Sequence, residues 1–172
     1  MRWHGMSMFA AAAVMMLGTM TAPLAAVAQS DTVLKAAEVQ KLLPDSVWYK
    51  GQSAPAQKRN SGGVKFGDGS FVLATLVDNS GYASDVAAKY QAYFVVESAI
   101  KVGGQTLAPG VYGAGFITGD KFIVTDVGGH DVLTASSSND DQMKRPMPLQ
   151  VTADPAGGFR LYAGRKYVTF TK

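Results

Sequence analysis

The residues able to do chemistry in this chain are few. His130 is the only histidine beyond residue 28, and it stands beside Asp131 in the stretch Gly128-Gly129-His130-Asp131. A lone histidine cannot build a multi-histidine metal site. An imidazole next to a carboxylate suits a small hydrolase instead, the acid orienting the ring while the ring takes a proton from a serine. Ser136, Ser137 and Ser138 follow closely and are the candidate nucleophiles. Two constraints bear on this reading. Consecutive strand residues point to opposite faces, so His130 and Asp131 pair only where the chain turns. The serines also lack the Gly-x-Ser-x-Gly elbow that exposes a hydrolase nucleophile.

Other chemistries have less to draw on. The absence of cysteine excludes disulfides, thiolate catalysis and cysteine-ligated zinc. Asn139-Asp140-Asp141 is acidic but lacks the alternating carboxylates and glycine of a calcium loop. Gly110-Val111-Tyr112-Gly113-Ala114-Gly115 has its glycines in the wrong order for a dinucleotide fingerprint, and no helix start follows. Its glycines read as turn and strand residues, and no cofactor is expected. What remains is a set of aromatic and arginine residues: Trp48, Tyr49, Arg160, Tyr162, Arg165 and Tyr167. These types give large contact area at modest entropic cost and are favoured in binding surfaces. The competing reading makes Tyr162 and Tyr167 a cross-strand pair with Arg160 lying over it.

The elements that must position these residues are mostly strands. Short runs rich in Val, Ile, Phe, Tyr and Thr recur from Val64 onward, separated by turn residues. In "FRLYAGRKYVTF" a two-residue Gly164-Arg165 turn sets Tyr162 opposite Tyr167, Leu161 opposite Val168 and Phe159 opposite Phe170. Glycine first in the turn suits type II′ geometry. Gly103-Gly104 makes a second tight hairpin with Ile100 facing Leu107. A Gly119-Asp120 turn pairs Ile117 with Phe122 and Phe116 with Ile123. Pro109-Gly110 fits a type II turn with positive φ at the glycine. Gly113 and Gly115 alternate on one strand face, leaving bare backbone to receive a bulky ring. Before the β region, residues 30–45 read as one helix with Ala36, Val39, Leu42 and Leu43 on a face and Pro44 at its end. "SVWYKGQ" reads as a short strand, "SAPAQKRNSGG" as an exposed connector, and "SDVAAKY" as a helical turn capped by Ser84.

The chain has 172 residues, 47% of them hydrophobic and 17% charged, enough for one cored domain. A net charge of +3 without a basic stripe argues against nucleic acid. The first 28 residues have a positive start at Arg2, an apolar run from Met8 to Leu17 and Ala26-Val27-Ala28 before a cut. That is the pattern of a secretory signal peptide at 1–28, with a mature domain over 29–172 in the periplasm or outside the cell. No comparable apolar run follows, so no transmembrane helix is expected in the mature chain.

The pattern in "GQTLAPGVY", with "GGFRLYAGRKYVTF" and "VWYKGQSAP", resembles an exported bacterial β-sandwich family of uncharacterised function. The resemblance implies a fold and a compartment but no chemistry. The expectation is therefore a mainly β protein, an antiparallel β-sandwich or partly closed barrel with one N-terminal helix. Its expected function is a non-catalytic binding module for an unidentified protein or envelope component. The alternatives are a small hydrolase at His130 and Asp131 and a carrier of a small apolar ligand.

Overall fold

A computed structural model describes Met1 and residues 29–172. The signal peptide read at 1–28 lies outside the described residues. Alternation of large apolar with small or polar residues yields antiparallel strands in two layers. The first part of the chain forms β1 (Thr32–Leu34), β2 (Ser46–Tyr49), β3 (Gln52–Lys65), β4 (Phe71–Val77) and β5 (Ala92–Val96). A short hairpin, β6 (Ile100–Val102) and β7 (Gln105–Leu107), crosses to the second layer. The chain returns through β8 (Gly110–Ile117), β9 (Lys121–Thr125) and β10 (Asp131–Ser136). It ends in β11 (Ser138–Asn139), β12 (Met147–Ala153), β13 (Phe159–Gly164) and β14 (Lys166–Thr171). One sheet runs β1-β3-β4-β5-β8-β9-β10 with β2 also on β3; the other runs β12-β13-β14-β6-β7 with β11 on β14. The architecture is a mainly β, sandwich-like pair of antiparallel sheets.

The inner faces supply one core. Phe94, Phe122, Val72 and Val124 from the first sheet meet Leu107, Leu161, Val168 and Phe170 from the second. Phe94 and Phe122 meet edge to face with ring centroids 6.4 Å apart. A second cluster, Val47, Tyr49, Ala54, Val77, Tyr82 and Tyr90, fills the end of the first sheet beneath α2 (Ser84–Lys89). Tyr49 stacks on Tyr90 at 3.8 Å, and both rings lie against Gly113, where the sequence anticipates bare backbone. The tip of the β2–β3 hairpin also reaches the far end of the sheet. Lys50 N donates to Val127 O at 2.8 Å, and the hydroxyls of Tyr49 and Thr125 are 2.7 Å apart.

The hairpin of β13 and β14 has the predicted register, with Gly164 at φ 62° in the turn. So does that of β6 and β7, where Ile100 faces Leu107 and both turn glycines have positive φ. Five expectations need correction. The hairpin of β8 and β9 is slipped by one residue: Phe116 faces Phe122, and Ile117 faces Lys121. Its loop holds three residues, with Gly119 and Asp120 both left-handed. Gly110 opens β8 without a positive φ, so the expected type II turn does not form there. The segment read as an exposed connector lies within β3, which runs past Pro55 and is offset between Gln57 and Ser61. Proline is tolerated because β2 and β4 share this strand unevenly, and Pro55 accepts from Asp78 N through its carbonyl.

The fourth correction is the helix read at 30–45. Residues 32–34 pair with β3, and only α1 (Ala36–Val39) is helical. The apolar spacing still buries a face: Val39 and Leu43 pack with Leu34 on Leu73. Leu42 is exposed. β1 and β2 lie along the same edge of β3, and α1 fills the gap between them. Farther on, α2 begins at Ser84, but Ala83 holds the cap position and no side chain caps it. Among the described residues no helix is long and apolar enough to cross a membrane.

Candidate functional site

The structure separates the predicted hydrolytic residues. His130 lies in the loop between β9 and β10 with its side chain 83% exposed. Its Nδ1 is 3.0 Å from Asp126 Oδ2, and its backbone N–H donates to Asp126 Oδ1 at 2.9 Å. These bonds to His130, its backbone amide first, hold the Asp126 carboxyl below the usual range. Asp131 turns elsewhere and accepts from Lys89 Nζ at 2.7 and 2.8 Å. Ser136 closes β10, five residues beyond Asp131, or about 17 Å at strand rise. Ser137 is buried beyond it and Ser138 starts β11. No proton path joins serine, imidazole and acid in this arrangement. Among the described residues no three His, Asp or Glu side chains gather to hold a metal ion.

The aromatic and arginine set divides into two places. Trp48 projects from β2 with 68% of its surface exposed, while Tyr49, the next residue, points inward to Tyr82 and Tyr90. Burial raises the pKa of both Tyr49 and Tyr90. On the second sheet Arg160, Tyr162 and Tyr167 do come together. The Arg160 guanidinium lies 4.5 Å from the Tyr167 ring centre, and the two tyrosine rings are 5.1 Å apart. Arg160 donates to Asp154 at 3.0 Å and to the Tyr162 hydroxyl at 3.3 Å; Tyr162 donates to Asp140 at 3.1 Å. The Arg160 bond holds the Asp154 carboxyl below its ordinary pKa. Arg165 Nε donates to Met143 O at 3.2 Å. This group ties the 140–146 loop to the sheet and leaves Tyr162 buried.

A concavity is formed by residues that sequence reasoning passed over. A cleft of about 560 Å³ opens between β1 with α1 on one side and β12 on the other. Val33 and Ala36 lie across it from Met147, Val151 and Ala153. Ser61 and Gly62 of β3 complete the lining. Both flanking strands are sheet edges, β1 of the first sheet and β12 of the second. Gly62 permits this closeness: a Cβ there would lie 2.7 Å from Val151 N. Bulk at position 62 would therefore force the two sheets apart at the cleft. Between the sheets themselves the void near Leu76 and Phe122 is only about 10 Å³.

The fold defines an antiparallel two-sheet β protein. No family model, no curated protein and no solved structure matches the chain.

Proposed function

We propose that this chain is an exported, non-catalytic binding domain of the cell envelope whose cleft between β1–α1 and β12 takes a small apolar ligand. The observation that carries the reading is the cleft: about 560 Å³, walled by aliphatic side chains with few polar groups. Ligand sites fall in the range of roughly 300–1,000 Å³ and are mostly apolar with a few placed polar groups. The exposed His130 and the separated serines favour binding over hydrolysis. Export rests on the leader pattern in residues 1–28 and on the resemblance to an exported family.

A neutral fluorescent probe such as N-phenyl-1-naphthylamine tests the cleft. The expected result is saturable enhancement that Ala36→Trp abolishes while circular dichroism stays unchanged. Binding undiminished in a folded Ala36→Trp variant, or no binding at all, would overturn it. N-terminal sequencing of protein recovered from a bacterial envelope fraction tests export. The chain should begin near Gln29; an intact Met1 would refute the leader.

A further inference from the structure

The polar groups of the cleft are one-sided in charge. Among the described residues Lys35 is its only ionisable lining residue, and no Asp or Glu contributes to the wall. Among the described residues the Lys35 ammonium enters no ion pair. The neighbouring acids are engaged elsewhere. Glu38 accepts from the Lys35 backbone N–H at 3.0 Å, and Asp31 accepts from Gly67 N at 2.9 Å. Asp154 is held by Arg160. Gln150 also lines the opposite wall, but its side chain lies on the outer face with Tyr162 and donates to Met143 Sδ at 3.6 Å. The Ser61 hydroxyl donates to Lys58 O at 2.6 Å. One cationic donor without a charged partner thus stands at an aliphatic cleft.

We infer that the cleft's ligand is an amphipathic monocarboxylate, its hydrocarbon chain lying against Val33, Ala36 and Val151 and its carboxylate held by Lys35. The inference rests on the binding reading above and gives that site its chemical class. The charge complementarity is specific. A neutral chain of equal length gains the apolar burial but leaves the ammonium without a partner, and a cationic head is repelled. Hydrogen bonds to an ionised group are about twice as strong as neutral ones, and partial desolvation in the cleft strengthens them.

The test compares three probes with one tail, decanoate, decan-1-ol and decyltrimethylammonium, below their micellar concentrations, by displacement of N-phenyl-1-naphthylamine. Decanoate is expected to bind about five- to ten-fold more tightly than decanol, with the cation weakest. Lys35→Gln should bring decanoate down to the affinity of decanol while leaving decanol unchanged. Added salt should weaken decanoate alone. Equal affinity of decanoate and decanol, or a preference that survives Lys35→Gln, overturns the carboxylate assignment and leaves the cleft intact as an apolar site. Failure of all three probes to bind overturns both.

Discussion

Gly113 offers a test in which the sign of the effect, not only its size, is diagnostic. Its φ is not positive, so alanine suits its backbone conformation. On backbone grounds alone, Gly113→Ala should stabilise the protein by about 0.4–1 kcal/mol through the unfolded chain. Packing opposes this. The new methyl would lie 2.7 Å from Tyr49 Cε2, 2.8 Å from Tyr90 Cδ2 and 2.8 Å from Thr125 Oγ1. Non-bonded carbons rest at about 3.5–4.0 Å. None of the three is a loose side-chain end. The rings are stacked on each other, and the Tyr49 hydroxyl is bonded to Thr125. Overpacking of a filled core costs about 1–3 kcal/mol. The net expectation is a loss of about 1–2 kcal/mol, read as a lower urea midpoint at constant slope. Gly81→Ala is the control, since a methyl there meets nothing within 4 Å and its φ is not positive. It should leave stability level or raise it slightly. A Gly113→Ala protein as stable as the parent would refute the placement of the tyrosine stack against β8.

Three further outcomes follow from the same geometry. Phe94→Ala should cost about 3–5 kcal/mol in urea unfolding, since the ring is 1% exposed between the sheets; a loss below about 1 kcal/mol would contradict the inter-sheet core. Asp154 titrates below its ordinary pKa when folded, so its bond to Arg160 adds stability above the ordinary carboxylate value, and that stability is lost as pH falls through the lowered one. The urea midpoints of the parent and Arg160→Gln should therefore differ most near pH 6 and converge toward pH 2; a gap that stays constant would contradict the pairing. His130→Ala should leave the melting temperature within experimental scatter, because the side chain is exposed and bonded only to Asp126. A panel of ester, peptide and glycan substrates should show no activity that this substitution removes; an activity that it abolishes would restore the hydrolase reading.

The parts of the fold that could be read from sequence are those where turn chemistry and face pattern agree. Gly164 sets a two-residue turn, and a slip would have placed Arg160 opposite Val168 or Phe170, so one register survives. The β8–β9 hairpin lacks that check. Both of its faces are apolar, so a one-residue slip costs nothing in pattern, and a left-handed Asp120 lengthens the loop unseen. The first half of β3 was hidden by its polar residues and its proline, because strand identity there comes from the partners β2 and β4. Residues 32–34 are extended for a similar reason: β3 has an open edge, and pairing with it overrides local helical spacing. The cleft was illegible because Val33, Ala36 and Val151 are ordinary core types, brought together only by the meeting of two sheet edges. Lys35 carried no signal of its own, as a lysine beside Glu38 reads as surface.

The contact of Lys50 with Val127 joins opposite ends of the first sheet through one backbone bond, backed by the Tyr49 and Thr125 hydroxyls. A ring closed by so short a seam opens there before it opens elsewhere. Amide exchange should therefore start at this junction and spread into β2, exposing Tyr82 and Tyr90 while the layer beneath Phe122 stays closed. The protein would then loosen in two stages, with the tyrosine end acting as a door on a permanently shut box.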